Sequence, residues 1–162
     1  MTDRDPASPP DTASTAGAQP PEHALDRVAR WFEQMTPAAL ARIDECYAPG
    51  ARFKDPFSEV HGIDAIRQVY AHMYATLESP RFVVHERVGE GTHGFLVWEM
   101  RFRFRNFRKG EDQVIRGVSH LRLSGDGRVA DHRDYWDAAE ELYEKLPGVG
   151  VLMRWLKRQA SS

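Results

Sequence analysis

Apolar positions recur every three or four residues in the first half of the chain and every second residue in the second half. Leu25, Val28, Ala29, Trp31 and Phe32 share one side of a predicted helix over 23–33. Thr36-Pro37 reads as an N-cap with proline at the first helical position. The stripe Leu40, Ile43 and Tyr47 then predicts a second helix, closed by Pro49-Gly50. A short strand at 51–55 follows, with Phe53 and Asp55 on one face and Arg52 and Lys54 on the other. Ile63, Ile66, Val69, Tyr70 and Met73 predict a third helix over 63–77.

From Arg81 the period becomes two. A strand at 81–87 leads to 95–104, where Trp98, Met100, Phe102 and Phe104 alternate with Val97, Glu99, Arg101 and Arg103. After the Lys109-Gly110 turn, 113–123 is another strand, and Gly125-Asp126-Gly127 turns the chain into 129–136. The end is helical over 138–146, broken at Pro147-Gly148, with a short amphipathic helix at 151–158. Helices followed by a one-faced antiparallel meander give an α+β order. The strong sidedness of the strands predicts a curved sheet wrapped around the helices, a cone with an apolar pocket at its mouth.

Composition narrows the class. At 162 residues with 28% charged side chains the chain is expected to be one soluble domain. Residues 1–22 are rich in Pro, Ala, Ser and Thr and read as a disordered tail without the basic start and apolar centre of a secretory signal. Deleting 1–22 is expected to leave the melting temperature within a few degrees; a large drop would mean that the segment docks. A single cysteine, Cys46, fits a reducing cytoplasm. A net charge of −2 argues against general nucleic-acid binding, and no apolar run is long enough to span a bilayer.

The chemistry begins at ARFKDPFSEVHG, residues 51–62. A carboxylate sharing a face with Phe53 is costly to desolvate, so Asp55 is neutralised, paired or used. It either lines a pocket, where burial raises its pKa, or anchors the Asp-Pro turn through amides or an arginine, which lowers it. Alternation also puts His132, Asp134 and Trp136 on one face, opposite Arg133 and Tyr135.

The element order, with ARFKDPF after two helices, resembles the nuclear transport factor 2-like superfamily, particularly its SnoaL-like and ketosteroid-isomerase-like bacterial branch. The Asp-Pro strand at 55–56, the helix IDAIRQVY after Gly62 and GRVADHRDYWD at 127–137 carry the likeness, which runs over 23–146 and leaves 147–162 as a short C-terminal helix and tail. The resemblance implies the cone fold with no cofactor. It does not fix function, because the scaffold hosts isomerases, cyclases, hydrolases, dehydratases and binding modules. In the ketosteroid isomerases the aspartate of this motif is the proton-shuttling base, which points to Asp55. The oxyanion tyrosine of those enzymes falls on Trp31 and their protonated aspartate on Ser119, so the isomerase set is incomplete. The likeness to epoxide hydrolases carries their inward aspartate onto Asp134, but EMRFRFR at 99–105 lacks the Arg-x-Asp of that relay.

The resulting candidate site has Asp55, Asp134 and His132 as acid–base residues and Trp31, Trp98, Phe102, Ser119 and Trp136 around a small apolar or polycyclic molecule. The competing reading is a catalytically silent binding or protein-interaction module, with His132 and Asp134 paired to each other or to an arginine. No metal site is expected, because His61, His72, His120 and His132 show no ligand spacing. Cys46 reads as a buried small hydrophobe. Arg101, Arg103, Arg105, His120 and Arg122 form a basic stripe on the outer sheet face, read as solvated or as the homodimer face that the resemblance implies. The segment VGVLMRWLKRQ at 149–159 reads as a lid or dimer contact, not a membrane anchor.

Overall fold

The computed structural model describes residues 21–105 and 110–141. Helix α1 (Pro21–Glu33) starts two residues before its predicted bound, so a deletion through residue 22 would trim its first turn. It is followed by a 3-10 helix (Ala39–Glu45), strands β1 (Tyr47–Lys54) and β2 (Glu59–His61), and helix α2 (Ile63–Thr76). Strands β3 (Leu77–Glu90), β4 (His93–Phe104), β5 (Gln113–Leu123) and β6 (Val129–Tyr135) then form a meander that ends at α3 (Ala138–Glu141). The turn predicted at 109–110 lies partly outside the described residues, and the helix segments predicted beyond 141 and the tail over 1–20 lie wholly outside them.

The six strands make one sheet in the order β2-β1-β6-β5-β4-β3, antiparallel except for the β1–β6 pair. The sheet is curved and unclosed, and α1 and α2 supply the other half of the core. Val28, Ala29 and Phe32 of α1 and Ile66 and Tyr70 of α2 are buried against Leu96, Ile115 and Leu121 of the sheet. Glu33 at the end of α1 accepts the Val84 backbone N–H at 3.1 Å, tying helix to sheet. The β5–β6 turn also meets α1. Gly127 has a φ of 77° and its carbonyl accepts Arg27 Nη2 at 2.8 Å. A side chain there would be strained and would meet Arg27 and Ala24.

Two predicted elements differ. The second helix is only a 3-10 helix, although Thr36 Oγ1 does accept the Ala39 N–H at 3.2 Å. Arg42, at φ −112° and ψ 29°, breaks the helical path inside it. Tyr47 therefore opens β1 instead of extending a helical stripe, and Pro49-Gly50 falls within that strand where its register to β6 shifts. Proline is tolerated there because β2 pairs only with Arg52–Lys54, leaving the 49–50 stretch without that neighbour. Strand β3 starts at Leu77, ahead of the predicted 81, and carries Pro80 beside a register shift on the sheet edge.

The alternation in β4 and β5 holds. Leu96, Trp98 and Phe102 point inward on β4, and Ile115, Ser119 and Leu121 on β5. Gly117 pairs with Trp98 across the two strands, and a Cβ built there would lie 2.5 Å from the indole. A rigid ring wedged at that distance cannot yield without leaving its place. Gly117→Ala is expected to destabilise by about 1–3 kcal/mol, read by denaturant unfolding. An unchanged midpoint would show that the indole moves aside freely.

Candidate functional site

Register assembles the site. The parallel β1–β6 pair sets Phe53 beside His132, and the next inward positions on the two segments are Asp55 and Asp134. On the other side of β6, Asp134 pairs with Ser119 and His132 with Leu121. Trp98 reaches Ser119 diagonally from β4. One row of polar groups thus crosses the inner face of the sheet.

Asp134 Oδ1 accepts from Ser119 Oγ at 2.5 Å and lies 2.7 Å from His132 Nε2. Ser119 Oγ accepts in turn from the Trp98 indole N–H at 2.8 Å. His132 is 1% exposed, and its Nδ1 is 2.6 Å from the Tyr47 hydroxyl. Tyr47 and Tyr70 hydroxyls are 2.8 Å apart. Rings enclose this chain: Phe53 and Phe32 meet the His132 imidazole edge-on at 4.9 and 5.4 Å between centroids. Burial pushes both phenols far above their ordinary range, so Tyr47 and Tyr70 stay protonated.

Both carboxylates reach one cavity of about 460 Å³ between α2 and the sheet. Its wall is mostly apolar, with Phe102, Met100 and Ile115 from the sheet and Val69 and Met73 from α2. Trp136 lines it and packs edge-on against the exposed Phe57, 5.3 Å between centroids. Of the predicted site residues, Asp55, Asp134, Trp98, Phe102 and Trp136 border this cavity. Ser119 and His132 stand behind Asp134 and border only a small adjoining pocket. Trp31 is a correction: it is not among the cavity's lining, because it stands half-buried at the end of α1, edge-on to Tyr47 and Tyr70. The Trp31 indole borders a separate cleft with Gln34 and Arg42.

Tyr47 and Tyr70 were not singled out by the sequence reading, which counted both as helical apolar positions. The available signal was that a phenol on a buried face needs a hydrogen-bond partner.

Asp55 combines both roles considered for it. Its Oδ1 accepts the N–H groups of Phe57 at 2.8 Å and Ser58 at 2.5 Å, closing the Asp-Pro turn. Burial nonetheless raises its pKa, opposed by those two amides and reinforced by the Asp134 charge. The sign of the pH effect follows. An acid whose folded pKa is raised binds its proton more tightly when folded, so its charge costs stability above that pKa. The cost fades as pH falls toward the unfolded value of about 3.9. Asp55→Asn keeps an oxygen for both amides and removes the charge. It is expected to match or exceed wild-type stability at pH 7, with any advantage shrinking on acidification. Asp55→Ala loses both turn bonds and is expected to cost about 1–3 kcal/mol. Unfolding at pH 7 and pH 4 checks both, and an Asn variant as damaged as the Ala variant would overturn the assignment.

The remaining candidates resolve structurally. Among the described residues no group of three or more His, Cys, Asp or Glu side chains is placed to hold a metal. Cys46 is buried beside the 3-10 helix, and burial pushes its thiol well above the usual range. The basic stripe is largely paired: Arg101 with Glu99, Arg103 with Asp112, and Arg105 with the Tyr74 carbonyl. His120 instead stacks on Phe95, 4.6 Å between centroids. Among the described residues no helix is long and apolar enough to cross a membrane.

The sequence profile of the SnoaL-like domain matches residues 28–132, which take in every strand up to the His132 dyad. The chain belongs to the SnoaL-like family. Solved structures share the fold of this SnoaL-like domain at low identity. An NTF2-like protein of unknown function from Burkholderia pseudomallei is 19% identical, with a TM-score of 0.62 over 74% of this chain and 92% of that one. A putative SnoaL-like polyketide cyclase from Jannaschia is 20% identical, with a TM-score of 0.62 over 74% and 88%. An LEH-like epoxide hydrolase of M. tuberculosis is 14% identical, with a TM-score of 0.63 over 81% and 95%. No curated protein matches the sequence.

Proposed function

We propose that this SnoaL-like domain binds a small apolar or polycyclic molecule in the cavity under α2 and performs cofactor-independent proton transfer on it. The observation that carries the reading is the placing of two unlike carboxyl groups, Asp134 and Asp55, on one aromatic-lined wall. Asp134 is held on Oδ1 by Ser119 and His132, and no hydrogen bond to Oδ2 is made among the described residues. Oδ2 is the base: it takes a proton from a carbon next to a carbonyl, and the C–H electron pair moves onto the carbonyl as an enolate. Asp55 on the same wall is the acid partner at the developing oxyanion, acting in the protonated form that burial favours. Isomerisation, cyclisation and epoxide opening are the reactions this pair can serve. The reading places the chain in the cytoplasm as a homodimer through the outer sheet face, where Phe95 and Tyr135 remain exposed.

A second reading, a silent binding module, draws on the same geometry. One oxygen of each carboxylate is already satisfied internally. Exchange of the α-protons of 2-tetralone in D2O separates the two. Exchange above background that is lost in Asp134→Asn, with tetralone still bound, supports the enzyme. Binding without exchange selects the silent module, and failure of a neutral bicyclic probe to bind overturns both.

A further inference from the structure

We propose that Tyr70 and Tyr47 are positioning residues that hold His132 as a neutral imidazole, so that Asp134 remains a carboxylate not neutralised by its neighbour. The proposal rests on the reading of Asp134 as base, and the geometry for it lies in the buried chain behind the cavity. A carboxylate oxygen 2.7 Å from His132 Nε2 requires a proton on that nitrogen. The protonation of Nδ1 then decides the character of the pair. A second ring proton would place a full positive charge against the base and weaken it.

The two phenols determine Nδ1, because each has one proton to donate. In one direction Tyr70 donates to Tyr47 and Tyr47 donates to Nδ1, and every hydroxyl proton has an acceptor. In the reverse direction Nδ1–H donates to Tyr47 and Tyr47 donates to Tyr70. The Tyr70 hydroxyl proton is then left buried without an acceptor, since Tyr47 is its one hydrogen-bond partner among the described residues. A buried hydroxyl that forfeits its one protein acceptor is the costlier arrangement. The first direction wins, and it leaves Nδ1 bare.

The surroundings agree. The titratable groups that face this chain are Tyr47 and Asp55 from β1 and its turn, Tyr70 from α2 and Asp134 from β6, with Cys46 beside the two phenols. The other neighbours, Ser119 of β5, Trp98 of β4 and Phe32 of α1, carry no charge. Passing a proton from Tyr47 onto Nδ1 would leave a phenolate where burial strongly disfavours one. The chain therefore orients the imidazole without conducting protons. A proton taken by Asp134 stays there until the substrate or cavity water removes it.

The test counts ring protons. In uniformly 15N-labelled full-length protein at pH 7, long-range 1H–15N correlations of His132 are expected to show a protonated Nε2 and a bare Nδ1. Two ring protons would overturn the proposal, without need of any variant. Tyr47→Phe removes the hydroxyl that donates to Nδ1, and the 15N resonance of Nδ1 is expected to move from the position of a hydrogen-bonded bare nitrogen toward that of a free one. An unchanged Nδ1 resonance would overturn the positioning role. These signals do not depend on turnover. A singly protonated His132 with no tetralone exchange would reject Asp134 as base while leaving the tyrosine lock standing.

Discussion

Trp98→Ala is expected to cost about 3–5 kcal/mol of unfolding free energy, toward the lower end of that range. The indole is 5% exposed, packs edge-on against Phe82 at 5.5 Å and fills the space left by Gly117. Its N–H is also the donor that orients Ser119 toward Asp134. Truncation removes this apolar contact and frees Ser119, but one side of the ring already borders the cavity. The new void joins that space instead of forming a closed, dry hole, which limits the penalty. Trp98→Phe retains most of the packing and loses the donor, with an expected cost nearer 1–2 kcal/mol. Urea unfolding of both variants at pH 7 checks the pair. A loss below about 1 kcal/mol for the alanine variant would show that the ring is a mobile wall of the cavity and not part of the core.

The inward set of β4 and β5 was legible because a sheet with one dry face imposes a period of two, and Trp98, Phe102 and Ser119 obey it. Strand partners were not legible in the same way. Asp55 and Asp134 lie about eighty positions apart, and only the parallel β1–β6 pairing makes them neighbours. Tyr47 was misplaced because Leu40, Ile43 and Tyr47 fit a helical stripe as well as a 3-10 helix running into a strand. Tyr70 was placed on the correct helix, but its partner lay on an element the periodicity had misread. For Trp31 the pattern gave the helix and not the rotation: Phe32 is buried, while Trp31 is half-buried at the edge of the core, against Tyr47 and Tyr70. The choice between pocket and turn for Asp55 was resolved by its two oxygens. Oδ1 serves the turn amides while the side chain still borders the cavity.

Replacing His132 by leucine is expected to cost about 3–5 kcal/mol and to cancel most of the effect of a second change, Tyr47→Phe. His132 sits between Phe53 and Phe32, so a leucine of similar bulk keeps much of the packing. What it loses is polar. The Tyr47 hydroxyl is left buried without its acceptor, worth about 1–3 kcal/mol, and the charged Asp134 carboxylate loses the N–H donated by the neutral imidazole, worth about 1.5–3 kcal/mol. In the wild-type background Tyr47→Phe strips Nδ1 of its donor and Tyr70 of its acceptor, so it is expected to destabilise. In the leucine background the same change removes the orphaned Tyr47 hydroxyl but leaves the Tyr70 hydroxyl without its partner, so it is expected to be close to neutral. The double-mutant cycle should therefore show a coupling of about 1–3 kcal/mol between positions 47 and 132. Additive effects would mean that the 2.6 Å contact contributes nothing to stability and that the imidazole is oriented from the Asp134 side alone.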